Sequence, residues 1–248
     1  MAKYVMVTGA SSGIGYATAK AFAKRGYNPI ILARRTEKLE KLKEEILEIN
    51  PDADVVIVSS DLSKDGEPER VYNLVKSYDI ETWVNNAGLG NAGDLTNAEV
   101  EHNTRMLRVN VEALGLFSAM FVADNYNKEG AQLINVASIG GYINVPNCAF
   151  YCATKFFVTS LTEQIWDDMN RNGYKLKAKV IAPKTTETEF EQACHESDEP
   201  FDYSQRAKYN TADEMAEYIW QLHEGDKPVG EIDGDMKLVL SDRKITHL

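Results

Sequence analysis

The chain has 248 residues, a formal net charge of -11 at pH 7 and a sequence pI near 4.9. This acidic balance argues against a nucleic-acid partner, which would require clustered Lys and Arg against phosphate. No apolar run of about 18 residues predicts a membrane span, and the first residues enter a strand without a signal-peptide pattern. We therefore expect one α/β domain over residues 1–248, in the cytoplasm and without a membrane partner.

The cysteines and histidines show no pattern of their own. Cys148, Cys152 and Cys194 are odd in number and lack metal-type spacing, and the histidines are scattered. Neither a disulfide framework nor a zinc site follows from such an arrangement. The sequence therefore predicts free thiols and no metal.

A short apolar run over residues 3–8 breaks into a glycine-rich turn, after which Ala17, Ala21 and Phe22 recur at helical spacing. This pattern predicts a strand, a turn and a helix. Glycines are needed where the backbone passes close to a pyrophosphate, and the N–H groups at a helix start favour an anion. The turn is therefore a candidate phosphate-binding loop, and an ordinary structural turn is the alternative.

The second predicted strand, over residues 28–33, ends at Arg34 and Arg35. In dinucleotide-binding α/β domains an acidic residue near this place contacts the adenosine ribose. Such an acid would repel the 2′-phosphate of NADP, whereas arginine can bind it in a bidentate manner. The pair therefore predicts NADP(H) in preference to NAD(H). A solvated pair of charges at a helix start is the alternative.

Strand and helix patterns alternate along the rest of the chain. Predicted strands cover residues 54–59, 82–85, 132–137, 177–182 and 237–240, and predicted helices cover 37–49, 99–126, 149–171 and 211–222. Thr211 and Glu214 have the spacing of a capping box. This alternation predicts a doubly wound Rossmann-type domain with about seven parallel strands and helices on both faces.

Tyr151 and Lys155 lie four residues apart on a predicted helix, so their side chains share one face. An ammonium beside a phenol favours the phenolate and lowers a pKa that is ordinarily about 10. Tyr151 is therefore a candidate acid and base, although this spacing also occurs by chance in many helices.

In combination, the motifs of the chain resemble the short-chain dehydrogenase/reductase family over roughly residues 3–190. The resemblance rests on Thr8-Gly9-Ala10-Ser11-Ser12-Gly13-Ile14-Gly15, Asn85-Asn86-Ala87-Gly88, Asn110, Ser138, Tyr151 and Lys155, in that order. It implies hydride transfer between a nicotinamide and a carbonyl or secondary alcohol, with proton transfer by Tyr151. Ser138 would hydrogen-bond the substrate oxygen and Lys155 would bind the nicotinamide ribose. Asn110, at a local helix distortion, would hold a water that links Lys155 to solvent, with a core Asn whose hydrogen bonds are satisfied as the alternative.

The resemblance also implies which residues contact the cofactor. These are Gly9, Ser11, Ser12, Gly13, Ile14, Gly15, Arg34, Arg35, Asp61, Leu62, Asn86, Ala87, Gly88, Tyr151, Lys155, Pro183, Thr186 and Thr188. Ser12 and Lys184 depart from the family pattern, since many NADP-binding relatives have a basic residue at the first position and most members have glycine at the second. Lys184 would be strained if its position required a positive φ. For Asn85 two roles are open, a structural one in holding the sheet together and a functional one beside the cofactor.

Residues 189–210 mix acids with aromatic residues and predict a substrate lid, with a simple surface excursion as the alternative. The apolar residues of the 149–171 helix exceed one core-facing stripe, which by the resemblance implies a homodimer or homotetramer, with ordinary packing under the following segment as the alternative. The expected substrate is a small hydroxy acid, a hydroxysteroid or a similar compound. The alternatives are a 3-oxoacyl-acyl-carrier-protein reductase and a non-catalytic cofactor-sensing or scaffold protein.

Overall fold

A computed structural model of the protein describes residues 3–93, 95–97, 99–194, 201–205 and 208–245. Its centre is an eight-stranded sheet, and a small two-stranded sheet lies apart from it. In chain order the strands are β1 (Tyr4–Thr8), β2 (Asn28–Ala33), β3 (Val56–Ser59), β4 (Ile80–Asn85), β5 (Gln132–Val136), β6 (Lys177–Ala182), β7 (Thr186–Glu187), β8 (Asn210–Thr211), β9 (Val229–Ile232) and β10 (Leu238–Ser241). The small sheet consists of β7 and β8.

The strands of the large sheet lie in the order β3-β2-β1-β4-β5-β6-β9-β10. All neighbouring pairs are parallel except β9 and β10, which are antiparallel. The predicted fold class is confirmed, with one correction. The strand predicted at residues 237–240 is the antiparallel β10, and the seventh parallel strand, β9, was not predicted. A tight connection, in which the Asp233 amide donates to the Lys237 carbonyl at 2.9 Å, reverses the chain between them.

Helices alternate with the strands of the large sheet. They are α1 (Gly13–Ala23), α2 (Thr36–Ile49), α3 (Glu67–Val75), α4 (Val100–Leu107), α5 (Leu114–Asn125), α6 (Ala149–Arg171), α7 (Glu189–Cys194) and α8 (Ala212–Glu224). A π-helical segment, Arg108–Ala113, joins α4 to α5, so the helix predicted over residues 99–126 changes its winding in the middle.

The two faces of the sheet carry separate apolar layers because side chains alternate along each strand. Val5 and Val7 of β1 face a layer that contains Phe22 of α1 and Leu42 of α2. Met6, between them, faces the opposite layer. That layer includes Trp83, Phe117 and Phe121, which are fully or almost fully buried. Helices therefore cover both faces, as a doubly wound fold requires.

Strands β1 and β4 are neighbours, but the chain leaves them in opposite directions, towards β2 and towards β5. A crevice forms at the carboxyl ends of two such strands, where open α/β sheets bind ligands. The Thr8 hydroxyl holds this edge together, because it accepts from the Asn86 and Ala87 amides at 2.9 and 3.0 Å.

The continuous helical run Val100–Asn125 is long and apolar enough to cross a membrane by length and composition, with a mean hydropathy of 1.4. Buried helices of globular proteins meet the same criterion. Within this run Phe117 and Phe121 pack against Trp83 in the core. The absence of a membrane partner stays a prediction from the sequence.

Candidate active site

The glycine-rich turn packs directly against two other loops at the carboxyl edge of the sheet. Gly9 and Gly13 have φ values of 68° and 57°, which side chains disfavour. A Cβ at Gly9 would lie 2.8 Å from the Ala87 Cα, and one at Gly13 would lie 2.8 Å from Thr188 Cγ2. The turn can approach both loops this closely only because these two residues lack side chains.

A cavity of about 480 Å³ opens above this turn, within the size range of small-molecule sites. Every residue predicted to contact the cofactor lines this cavity except Gly15. A Cβ at Gly15 would collide with the Asn86 side-chain amide and lie 2.5 Å from the Gly9 carbonyl oxygen. Gly15 therefore supports the turn from behind.

One end of the cavity is basic. Arg35 Nη2 lies 3.0 Å from both the Ser11 and the Ser12 hydroxyl oxygens, so it crosses over the glycine-rich turn. Asp61 accepts from the Ser63 amide and hydroxyl. Burial raises the pKa of Asp61, but the Ser63 hydrogen bonds and the charge of Arg34 outweigh burial and lower it. Asp61 is therefore ionised and close to the arginine pair.

Ser138 and Tyr151 meet at the middle of the cavity. Ser138 follows β5 and caps a short 3₁₀ turn, Ile139–Gly141, by accepting from the Gly140 amide at 3.1 Å. Tyr151 lies in the first turn of α6, and its hydroxyl is hydrogen-bonded with Ser138. Two hydroxyl groups thus converge on one point of the cavity wall.

Lys155 lies below Tyr151 on the same helix, with its Nζ 5.7 Å from the centre of the Tyr151 ring. The ammonium donates to the Val136 carbonyl at 2.9 Å, and burial lowers the pKa of Lys155 to about 8. The pKa of Tyr151 is raised by burial, and the Ser138 hydrogen bond opposes this only in part. Burial of the phenol is thus the largest influence on the pKa of Tyr151, and the effect of Lys155 on that pKa stays a prediction.

Asn110 lies in the π-helical segment and outside the cavity wall. Its side chain exchanges hydrogen bonds with Leu89, accepting from the amide and donating to the carbonyl at 2.8 Å each. It also donates to the Thr154 hydroxyl at 3.0 Å. Asn110 thus fixes the loop after β4 to α6, one residue before Lys155. Its role in a water-linked proton path stays a prediction.

Two further residues from the sequence analysis, Asn85 and Lys184, concern the structure of the site rather than its chemistry. Asn85 is buried, accepts from the Trp83 indole at 2.8 Å and donates to Asn135 Oδ1 at 2.9 Å, which ties β4 to β5. Among the described residues, only Asn147 and Met236 have a positive φ without being glycine. Lys184 therefore does not have a positive φ, and its backbone is free of the strain that a positive φ would cause.

The other end of the cavity is apolar and was not predicted residue by residue. Its side chains include Leu89, Ala92, Val145, Cys148, Phe190 and Cys194. Phe190 and Cys194 belong to α7, the beginning of the predicted lid, whereas residues 195–200, 206 and 207 of that lid lie outside the described part of the chain. For Phe190 and Cys194 the sequence signal was their place in the predicted lid, shortly after Thr188.

Comparison with known proteins decides the family. A family model described as short chain dehydrogenase matches residues 3–199. The chain belongs to the short-chain dehydrogenase family. It is therefore an NAD(P)-dependent oxidoreductase of this family, which acts on alcohol and carbonyl groups.

Relatives of this short-chain dehydrogenase include dehydrogenase/reductase SDR family member 11 of Gallus gallus, 31% identical over 202 residues, or 79% of each chain. Its fold is similar to that of a short-chain dehydrogenase from Sphingobium yanoikuyae in complex with NADPH. That match has a TM-score of 0.84 at 23% identity and covers 93% of this chain and 87% of the other. A short chain dehydrogenase/reductase from Burkholderia phymatum in complex with NAD aligns with a TM-score of 0.75 at 22% identity, covering 89% and 85%.

The site of this short-chain dehydrogenase fits a nicotinamide dinucleotide. The glycine turn leaves room that any Cβ would fill, and Asp61 and the arginine pair stand at one end of the cavity. Ser138, Tyr151 and Lys155 line the same cavity, beyond that basic end. Among the described residues no cluster of His, Cys, Asp or Glu could hold a metal ion.

Proposed function

We propose that this protein is an NADP(H)-dependent reductase of uncharged carbonyl compounds, in which Tyr151 moves the proton on the substrate oxygen. One observation carries the proposal. The Ser138 and Tyr151 hydroxyls meet on the wall of a single cavity that also contains the glycine turn and the buried Lys155 ammonium.

The protein's own residues handle the substrate oxygen and its proton. When bound, the dinucleotide supplies the hydride for the carbonyl carbon. The Ser138 hydroxyl hydrogen-bonds the substrate oxygen, and Tyr151, which burial keeps protonated at neutral pH, donates its proton to that oxygen. The Lys155 ammonium then stabilises the phenolate that is left. The same groups act in the opposite order when an alcohol is oxidised.

The basic end of the cavity supports a preference for NADP(H). Arg34 and Arg35 both line it, and Arg35 already holds the hydroxyls of Ser11 and Ser12. A guanidinium suits a phosphate because it can donate two parallel hydrogen bonds. Pro183, Thr186 and Thr188 line the cavity near the catalytic residues and would hold the nicotinamide.

The apolar end supports an uncharged substrate with an apolar substituent, similar to a hydroxysteroid rather than to a hydroxy acid. The Glu191 carboxylate also lines the cavity. Burial of Cys194 raises the pKa of this thiol to about 12, and the negative charge of Glu191 is the second cause of the rise. A substrate carboxylate would meet the same negative charge. A carbonyl flanked by apolar groups would instead find Val145, Cys148 and Phe190.

A homodimer or homotetramer and a cytoplasmic location are further proposals. Phe156 is 39% exposed on α6, the helix where the resemblance implies subunit contacts. Leu107 of α4 is 42% exposed and adds to the available apolar surface. The acidic net charge of -11 suits a protein in aqueous surroundings.

The experiment that tests the function is an assay of NADPH oxidation with a panel of carbonyl compounds. The panel contains alkyl and aryl ketones, steroid ketones, 3-oxo acids and a 3-oxoacyl thioester. We expect turnover with neutral ketones, and a loss of about 10²- to 10⁴-fold in Tyr151→Phe with NADPH affinity nearly unchanged.

Tyr142→Phe is the matched control, since Tyr142 donates to Glu163 at 2.6 Å and does not line the cavity. It should retain turnover. Near-normal turnover in Tyr151→Phe would mean that another group supplies the proton, and activity with the thioester alone would favour the acyl-carrier alternative.

A further inference from the structure

Glu189, the first residue of α7, reaches across the cavity to α2. Its carboxylate accepts from Arg35 Nη2 at 2.8 Å and from Lys38 Nζ at 2.5 Å. Burial raises the pKa of Glu189, but the hydrogen bonds with Lys38 and Arg35 outweigh burial and lower it to about 2. Glu189 is therefore charged at neutral pH and connects the start of the lid to the basic end of the cavity.

The groups that surround this carboxylate are those that bind a phosphate. Arg35 donates to Glu189 while it also lies 3.0 Å from the Ser11 and Ser12 hydroxyls. A guanidinium and an ammonium thus hold one anion, and two hydroxyls contact the same guanidinium. A phosphate monoester offers more charge and more acceptor oxygens than a carboxylate, so it can use all of these donors.

We propose that the Glu189 carboxylate competes with the 2′-phosphate of NADP(H) for Arg35 and Lys38. Glu189 is then a residue that sets cofactor specificity, because it lowers the advantage that the two cations give to NADP(H) over NAD(H). The inference rests on the proposed function, in which the basic end of the cavity receives the adenosine ribose.

The same competition links the cofactor to the lid. The Phe190 amide donates to the Thr188 hydroxyl at 3.2 Å, and the Phe190 ring lies on Tyr151. When a 2′-phosphate takes Arg35 and Lys38, Glu189 loses both of its partners and the first turn of α7 loses its connection to α2. NADP(H) therefore loosens residues 189–194, and NAD(H) does not.

The test compares Glu189→Gln with Glu187→Gln, which makes the same charge change two residues away. Glu187 is exposed and does not line the cavity. Calorimetric titration with 2′,5′-ADP and with 5′-ADP isolates the 2′-phosphate without any nicotinamide. Glu189→Gln should bind 2′,5′-ADP about three- to tenfold more tightly, as expected for the removal of two exposed ion pairs. Its affinity for 5′-ADP should stay within about twofold, and Glu187→Gln should change neither affinity.

Hydrogen exchange of a peptide over residues 189–194 gives a second measurement on the wild type. Exchange should be faster with 2′,5′-ADP than with 5′-ADP. Unchanged or weaker binding of 2′,5′-ADP in Glu189→Gln would overturn the inference, as would slower or equal exchange. Failure of the proposed function looks different, because wild-type protein would then fail to bind NADPH or to reduce any carbonyl in the panel.

Discussion

The Phe190 ring lies against the Tyr151 ring, with the ring centres 5.6 Å apart and the planes inclined at 51°. Burial is the main cause of the raised pKa of Tyr151, so a smaller residue at 190 should admit water and lower that pKa. In Phe190→Ala, the pH at which alcohol oxidation rises should shift downwards relative to wild type. Rates of NADPH formation between about pH 7 and about pH 10 measure this shift. Phe190→Leu, the control, should resemble wild type, and an upward shift in Phe190→Ala would contradict the argument.

Because of the lowered pKa of Lys155, we expect a rise in pH to weaken NADPH binding and to increase the stability of the fold. This pKa of about 8 lies below the ordinary value of 10.5. At pH values above about 8 the Lys155 ammonium is lost, so the Kd for NADPH should increase. Between about pH 8 and about pH 10.5 the unfolded chain binds more protons at this residue, so the free energy of unfolding should rise by up to about 1.4 kcal/mol per pH unit.

Fluorescence titration with NADPH and denaturant unfolding at each pH provide the two measurements. Lys155→Met should lack both contributions, so the difference between wild type and this variant removes the effects of every other titrating group. A Kd that does not change with pH in wild type would exclude the assigned role of the ammonium in binding.

Replacement of Arg34 by Asp should reverse the cofactor preference. The carboxylate would repel a 2′-phosphate and could accept from ribose hydroxyls, as in NAD-selective sites. Loss of a charge-assisted contact implies an NADPH affinity lower by roughly ten- to a hundredfold, with NADH affinity equal or higher. Titration of both cofactors checks this expectation. Lys24→Asp, an equal charge change at an exposed position outside the cavity, should leave the ratio of the two affinities unchanged.

Gly15→Ala should weaken dinucleotide binding and reduce stability together. The added Cβ would lie 2.5 Å from the Gly9 carbonyl oxygen and collide with the Asn86 amide, so the phosphate-binding turn must shift. Overpacking of this kind costs about 1 to 3 kcal/mol, which thermal or denaturant unfolding can detect. Gly234→Ala is the control because a Cβ there meets nothing within 4 Å. Equal stability of the two variants would show that the turn tolerates the methyl group.

Features that depend on neighbouring residues in the chain could be predicted from the sequence. Thr211 accepts from the Glu214 amide while Glu214 accepts from the Thr211 amide, as the capping-box spacing predicted. The glycine turn and its flanking strand and helix were likewise found at their predicted places, since conformation there is set by short-range sterics.

Features that depend on distant residues could not be predicted. Glu189 and Arg35 are 154 residues apart in the chain, and no local pattern connects them. The raised pKa of Tyr151 comes from burial by the whole surroundings, whereas the sequence showed only its spacing from Lys155. Strand β9 has four residues, including Gly230 and Glu231, and pairing with β6 rather than local propensity makes it a strand.

The π-helical segment around Asn110 implies that this part of the chain tolerates substitution better than deletion. A π turn holds one more residue than an α turn. Removal of Val111 would let α4 and α5 join as one regular α-helix, and each residue of such a helix turns by about 100°. Phe117 and Phe121 anchor α5 in the core, so the rotation would fall on Asn110 and move its side chain away from Leu89 and Thr154. Insertions and deletions in this segment are therefore constrained more strictly than substitutions of any one of its residues.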